Sequence, residues 1–218
     1  MHPSLRIPAL FALLLFLPLS PRAGAERPVR TLGEKIRNGR LLFDTNGCST
    51  CHTMLGRGGK VGPDLSRTAG WASPLLGAAV MWNHVPLMKK AMAEKGLSWP
   101  EFKGEEATDI FTYLHSLSRK EGGDYALRGK ASLGKAVFMI SGCVICHAKP
   151  FRGGNVGPDL GRRAAKIRTE AEFATRMLRH ATHMVEKAKS LEIEWPQLTG
   201  SEMAHIFAYL KSLRKGKK

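Results

Sequence analysis

Apolar residues recur along this chain at helical spacing rather than at strand spacing. Gly39 and Phe43 lie four residues apart in "NGRLLF", and Gly134 and Phe138 repeat that spacing in "LGKAVF". Residues four apart share one face of an α-helix, so each pair predicts a helix with a small and an aromatic residue on one face. Alternating β-branched residues, the sign of strands, are rare. The pattern therefore predicts an all-α protein.

Two further helices are predicted in each part of the chain. One begins at Ser73-Pro74, because serine is a good N-cap and proline suits the first helical position. Its counterpart begins at Thr169, where "TEAE" has the spacing of a capping box. The last helix covers "GEEATDIFTYLHSL" (104–117) and, later, "GSEMAHIFAYLKSL" (200–213). The glycine-rich stretches between the first and second helices predict loops that follow the edge of a large flat group.

The helical pattern occurs twice because the chain contains an internal duplication. "RGGKVGPDLSR" (57–67) matches "RGGNVGPDLGR" (152–162) at an offset of 95 residues. "WPEFKGEEATDIFTYLHSL" (99–117) matches "WPQLTGSEMAHIFAYLKSL" (195–213) at an offset of 96, so the second copy has one inserted residue. We predict one domain over residues 26–120, a charged, glycine-rich linker over 121–128, and a second domain over 129–218.

The first 25 residues have the form of a signal peptide. Arg6 precedes an apolar run from Ile7 to Leu19, and the small residues Ala23-Gly24-Ala25 follow. This order is typical of a cleaved secretory signal, and the run is shorter than the ~20 residues that a membrane-spanning helix needs. We therefore expect cleavage near Ala25 and export to the periplasm.

The remaining chain is strongly basic. The formal net charge is +16 for 34 basic and 18 acidic residues, and removal of residues 1–25, with two arginines and no acid, leaves +14. Such a charge favours acidic protein partners or peripheral association with an anionic membrane surface. Expected export and the lack of a nucleic-acid motif argue against nucleic acid as a partner. A hydrophobic content of 43% argues against a disordered chain.

Four cysteines lie in two short motifs, "GCSTCH" (47–52) and "GCVICH" (142–147). Cys-x-x-Cys-His is the attachment signal of c-type haem, in which two thiols bond to the haem and the histidine binds its iron. We predict two covalently bound haem c groups, on Cys48, Cys51 and His52 and on Cys143, Cys146 and His147. A zinc ribbon needs a shorter gap between its cysteine pairs, a thioredoxin-like site needs a βαβ context, and a disulfide within Cys-x-x-Cys is strained.

With these motifs, each copy resembles a class I cytochrome c domain. The resemblance covers essentially all of the chain after the signal, and rests on "G…F…GCxxCH", "GPDL" and "FxYLxSL". It implies three to five helices around each haem, with the first helix crossing the last. The implied crossing pairs are Gly39 and Phe43 with Tyr113 and Leu114, and Gly134 and Phe138 with Tyr209 and Leu210. It also implies that the backbone carbonyls of Pro63 and Pro158 orient His52 and His147.

The usual distal methionine of this family is missing. Related domains place it in a turn before the last helix, where this chain has Trp99 and Trp195, which cannot bind iron; we expect both to wall the haem pocket. The segment "MWNHVPLM" (81–88) aligns with "MLRHATHM" (177–184). Three metal-binding pairs are shared: Met81 with Met177, His84 with His180, and Met88 with Met184.

We favour Met88 and Met184 as distal ligands, because they lie nearest the turn that supplies the ligand in related domains. His84 and His180 are the alternatives. Pro86, which lies between His84 and Met88, is expected to disturb the helix there. A methionine ligand would favour reduced iron, and two histidines would lower the potential.

The function expected from these features is one-electron transfer between redox proteins of a respiratory or oxidative pathway, without catalytic residues. An electron-transfer subunit of a dehydrogenase or oxidase and a dihaem peroxidase-like enzyme are the alternatives. The peroxidase would need one haem with an open distal position, whereas the two distal segments are alike.

Overall fold

The computed structural model describes residues 29–118, 127–147, 156–163 and 166–215, and we call residues 29–118 the first half and 127–215 the second half. The first half contains the helices α1 (Leu32–Thr45), α2 (Cys48–Cys51), α3 (Pro74–Glu94) and α4 (Glu106–Leu117). It also contains a short antiparallel pair of strands, β1 (Thr53–Met54) and β2 (Arg57–Gly58), and a 3-10 turn, Leu65–Arg67. The second half contains α5 (Ala131–Ile140), α6 (Cys143–Cys146), α7 (Leu160–Arg163), α8 (Glu170–Ser190) and α9 (Gly200–Lys215).

The prediction of an all-α protein is confirmed. The expected signal peptide and most of the expected linker lie outside the described residues. Among the helices that are described, none is both long and apolar enough to cross a membrane.

The two long helices, α3 and α8, begin where the sequence predicts. The hydroxyl of Ser73 accepts a hydrogen bond from the Leu76 N–H, and the hydroxyl of Thr169 accepts one from the Glu172 N–H. The capping box at Thr169 is displaced, however. The Glu172 carboxylate accepts from the N–H of Arg168, at 2.6 Å, instead of from the N–H of the N-cap itself. The spacing of "TEAE" therefore predicts the start of the helix correctly, but not the N–H group that donates to the Glu172 carboxylate.

In the first half, α1 crosses α4 at the predicted residues. A Cβ on Gly39 would lie 2.0 Å from the Asp109 carbonyl oxygen, so the backbones touch at this point. One turn later, the rings of Phe43 and Tyr113 pack with their centroids 5.8 Å apart and their planes tilted by 58°. Leu114 is buried in the same core cluster as Phe43. Glycine is required here because any side chain would separate the two helices.

The second half repeats this crossing between α5 and α9. A Cβ on Gly134 would lie 1.8 Å from the His205 carbonyl oxygen. The rings of Phe138 and Tyr209 are 5.6 Å apart and tilted by 57°, and Leu210 is buried with Phe138. The near-identity of the two geometries shows that the duplication seen in the sequence is also a duplication of structure.

A partly buried ion pair adds to the crossing in the first half. The carboxylate of Asp109 is fully buried on α4 and accepts hydrogen bonds from the guanidinium of Arg30 and, at 2.6 Å, from the amide of Asn38. The hydrogen bonds from Arg30 to Asp109 and Glu105 raise the pKa of the guanidinium, so Arg30 stays charged. The segment before α1 is thereby tied to α4.

The two halves are interlocked through their long helices. The long helix α3 packs against α8 and α9, and α8 also packs against α4. Leu178 of α8 is buried in the core of the first half. Four buried residues of α3 belong to the core of the second half: Leu75, Ala79, Trp82 and Val85. Each half therefore completes the core of the other.

Candidate haem-binding sites

The Cys-x-x-Cys-His motifs fold as single helical turns, α2 and α6. Each turn is preceded by a glycine in the left-handed region, Gly47 with φ of 74° and Gly142 with φ of 72°, a conformation that other residues rarely adopt. The N–H of His52 donates to the Cys48 carbonyl at 2.9 Å. The same bond joins His147 to Cys143. Each turn therefore places two thiols and an imidazole within five residues.

The thiols are free, and their chemistry differs from that of a redox pair. Burial raises the pKa of Cys48 to about 12 and that of Cys143 to about 11. Redox-active cysteines have a lowered thiol pKa, so these two thiols do not match that chemistry. In the described part of the chain, no three His, Cys, Asp or Glu side chains come together to form a metal cluster. A zinc ribbon would require the two motifs to meet.

The histidine of each motif has a fixed orientation. Nδ1 of His52 lies 3.1 Å from the carbonyl oxygen of Pro63, and Nδ1 of His147 lies 3.0 Å from that of Pro158. A carbonyl can only accept, so Nδ1 carries the hydrogen and Nε2 keeps its lone pair for a metal. These are the contacts that the family resemblance implies for both prolines.

A glycine packs against each of these imidazoles. A Cβ on Gly62 would lie 2.4 Å from Cε1 of His52, and one on Gly157 would lie 2.5 Å from Cε1 of His147. Only a residue without a side chain lets the loop follow the ring this closely. The loop, the carbonyl and the imidazole thus form a rigid support for a metal ligand, and two thiols lie beside it. This donor set fits haem c.

All three candidate distal pairs lie on the long helices, one set on α3 and the other on α8. Met81 packs against the first core cluster, as does Cys48. Met177 and Met184 pack against the second core cluster, as does Cys143. The methionine candidates of the second half and the haem-attachment cysteine therefore border the same apolar region.

The histidine candidates are more exposed than the methionines. Met88 and Met184 are half-buried, whereas His84 and His180 are exposed. Nδ1 of His84 lies 2.7 Å from the Val80 carbonyl oxygen of its own helix. Partial burial and neighbouring arginines lower the pKa of His180. This imidazole is therefore biased towards its neutral form.

The sequence did not predict the contacts that join each long helix to the turn before the last helix of the other half. Nε1 of Trp99 donates to the Leu178 carbonyl at 2.8 Å, and Nε1 of Trp195 donates to the Trp82 carbonyl at 3.0 Å. The N–H groups of both tryptophans therefore bond to the other half. We call these turns, residues 99–102 and 195–198, the WP turns.

A second pair of contacts follows the same symmetry. The side-chain amide of Asn83 donates to the Leu198 carbonyl at 3.0 Å and accepts from the Leu198 N–H at 2.8 Å. At the equivalent place, Nε of Arg179 donates to the Phe102 carbonyl. Each WP turn is thus held by two successive residues of the opposite long helix. The sequence carried one signal of this, the repetition of both the turn and the helix at an offset of 96.

Comparison with known proteins agrees with these observations. The family model described as Cytochrome c matches the chain twice, over residues 36–118 and over residues 131–214. No solved structure gives a significant match. Two tandem matches that cover most of the chain, on halves with the same helix crossing and the same haem-attachment motif, show that the chain belongs to the cytochrome c family.

Proposed function

We propose that this protein is an exported, periplasmic dihaem cytochrome that carries single electrons between redox proteins of a respiratory or oxidative pathway. Electron transfer and covalently bound haem follow from the family. The count of two haems is our inference from two complete motifs. The observation that carries the proposed function is the pair of imidazoles whose Nδ1 atoms face proline carbonyls at 3.1 and 3.0 Å.

In this proposal, the protein's own residues hold and orient each haem. Cys48 and Cys51 in the first half, and Cys143 and Cys146 in the second, form the thioether bonds. The bound haem supplies a one-electron Fe(III)/Fe(II) couple. The carbonyls opposite both imidazoles increase their basicity and fix the plane of each ring. Among the described residues of either half, no cluster of side chains points to a catalytic residue.

We propose Met88 and Met184 as the distal ligands. Both are half-buried and are the candidates on α3 and α8 that lie nearest, along the chain, to the WP turn that follows, whereas the histidine candidates are exposed. A thioether is a soft ligand that stabilises ferrous iron, so this ligand set gives a higher potential than two histidines would. His84 and His180 are the alternative pair, and they would give a low-potential cytochrome.

The distal ligands are tested on the purified holoprotein. Met88→Ala and Met184→Ala should each remove about half of the weak far-red absorption band that arises from methionine bound to ferric haem. Met92→Ala is the matched control, because Met92 lies on the same helix but has alanine at the equivalent position 188. A wild-type spectrum without that band would contradict the assignment and favour the histidines. Intact mass should show two added haems, each lost when its own cysteine pair is replaced.

The proposed partners are acidic proteins, because the chain without residues 1–25 carries a net charge of +14. Reduction by an acidic redox partner should slow as ionic strength rises, since salt screens the attraction that steers the two proteins together. A rate independent of salt would contradict this part of the proposal.

Sustained turnover of peroxide by the reduced protein would instead identify an enzyme. Association with anionic vesicles tests the proposed membrane contact.

A further inference from the structure

Pro86 lies inside α3, which continues through it from Pro74 to Glu94. In an α-helix, each N–H donates to the carbonyl four residues earlier. Proline has no N–H, so the carbonyl of Trp82 lacks the donor that normally comes from four residues later in the helix. Trp82 is only 4% exposed, so water does not readily replace the missing bond.

The missing donor comes from the second half. Nε1 of Trp195 lies 3.0 Å from the Trp82 carbonyl oxygen. The Trp82 indole reciprocates, because its own N–H donates to the Pro196 carbonyl at 2.9 Å. The two indole rings stack with centroids 4.1 Å apart and planes 26° apart. Trp195 therefore replaces, from 113 residues away in the sequence, the hydrogen bond that Pro86 cannot make.

The equivalent site in the second half lacks this dependence. Its long helix has Thr182 where the first has Pro86, and threonine keeps the N–H that an intrahelical bond needs. The Leu178 carbonyl accepts from Trp99 at 2.8 Å as an additional bond. The two tryptophan contacts look alike, but one replaces a helical bond and the other supplements one.

We infer that Trp195 is a positioning residue for the distal segment of the first half, residues 82–88, and that Trp99 has no comparable role for the second. The inference rests on the proposed function in one respect, because this segment carries two of the candidate distal ligands, His84 and Met88. The second half thus controls the conformation of the segment that carries the candidate distal ligands of the first. Asn83, bonded to Leu198 at two atoms, holds the neighbouring residue of the segment.

Hydrogen exchange, measured by mass spectrometry on the holoprotein, tests this directly. Trp195→Phe keeps an aromatic ring for stacking but removes the donor. Because it leaves a buried carbonyl unpaired, we expect the amides of residues 83–85, 87 and 88 to exchange about tenfold faster or more. Trp99→Phe is the matched control, and we expect a clearly smaller change in residues 179–184. The far-red band of the first haem should weaken in Trp195→Phe, with little change in Trp99→Phe.

Restoring the helical donor provides a rescue. In the Trp195→Phe background, Pro86→Ala gives residue 86 an N–H, and exchange of the segment should return towards the wild-type rate. Equal effects of the two tryptophan variants, or no rescue by Pro86→Ala, would overturn the inference. If Trp195→Phe does not accumulate, accumulation of the double variant supports the inference and its failure counts against it. Hydrogen exchange of this segment does not depend on which side chain binds the iron. A failure of the proposed distal ligands can therefore be distinguished from a failure of the inference about Trp195.

Discussion

Gly39→Ala and Gly33→Ala add the same methyl group to α1 and should have opposite effects. A Cβ at position 39 would lie 2.0 Å from the Asp109 carbonyl oxygen and 2.9 Å from Cβ of Tyr113. Real Cβ atoms essentially never approach a neighbour closer than 3.0 Å, so α1 and α4 would have to separate by about 1 Å. At position 33 the nearest atom is 3.4 Å away, at the end of the flexible Arg37 side chain.

The size of each effect follows from two opposing contributions. In a helix interior, as at Gly39, alanine is favoured over glycine by about 1 kcal/mol, and at Gly33, in the first turn of α1, that value is an upper limit. Overpacking costs about 1–3 kcal/mol, and the upper end applies at Gly39 because a backbone carbonyl cannot rotate away as a side chain can. We expect Gly39→Ala to lower the free energy of unfolding by about 2 kcal/mol, which lowers the melting temperature by roughly 4–8 °C. Gly33→Ala should raise stability by up to about 1 kcal/mol.

Thermal and denaturant unfolding of the holoproteins, followed by the helical circular dichroism signal, measures both variants. Gly134→Ala repeats the experiment in the second half, where the added Cβ would lie 1.8 Å from the His205 carbonyl oxygen. It should be destabilising like Gly39→Ala. If Gly39→Ala unfolds at the same temperature as Gly33→Ala, the backbone contact does not constrain the helices and the reasoning is refuted.

Three further predictions concern the ion pairs and the proximal loop. Arg30→Met should lower the free energy of unfolding by about 3 kcal/mol in denaturant titrations, because it leaves the fully buried Asp109 carboxylate without its cation; an unchanged midpoint would contradict this. Lys89 lowers the pKa of Glu186 across a 2.7 Å contact, so this stabilisation is present above the usual glutamate pKa and is lost as pH falls through the lowered pKa. Lys89→Gln should therefore lower the melting temperature slightly at about pH 7, and this loss should shrink as the pH falls below the usual glutamate pKa, whereas an equal loss at every pH would exclude the ion pair as its cause. Gly62→Ala should displace the proximal imidazole and weaken its ligation of iron about tenfold or more, seen as a shift of the main haem absorption band.

The features that the sequence predicted correctly are those encoded within short segments. The four-residue spacing of Gly39 and Phe43 places both on one helix face, and the same pair in the second copy repeats the pattern. The helix start at Ser73 follows from its own side chain and the proline after it. Such features depend on neighbours within one or two helical turns, so the residue pattern contains the information that decides them.

The contacts between the halves could not be predicted in this way. The bond from Trp195 to the Trp82 carbonyl joins residues 113 apart, and an indole N–H gives no sign in the sequence of which acceptor it finds. Pro86 nevertheless offered a partial signal. The sequence predicts that Pro86 disturbs the helix, and a proline in a continuous helix also means that one carbonyl lacks its usual helical donor. Counting backbone donors, in addition to residue periodicity, would have pointed to a partner.

The interlocked arrangement gives a physical reason for the duplication to persist as one chain. Without the second half, α3 would expose the apolar face formed by Leu75, Ala79 and Val85, together with the Trp82 ring. The second half likewise buries Leu178 in the first. Burial of such residues stabilises each half only when the other is present, so unfolding of one half weakens the other. The helices that carry the candidate distal ligands are also the helices that join the halves. A change at either haem site that shifts α3 or α8 therefore acts directly on the packing of the other half.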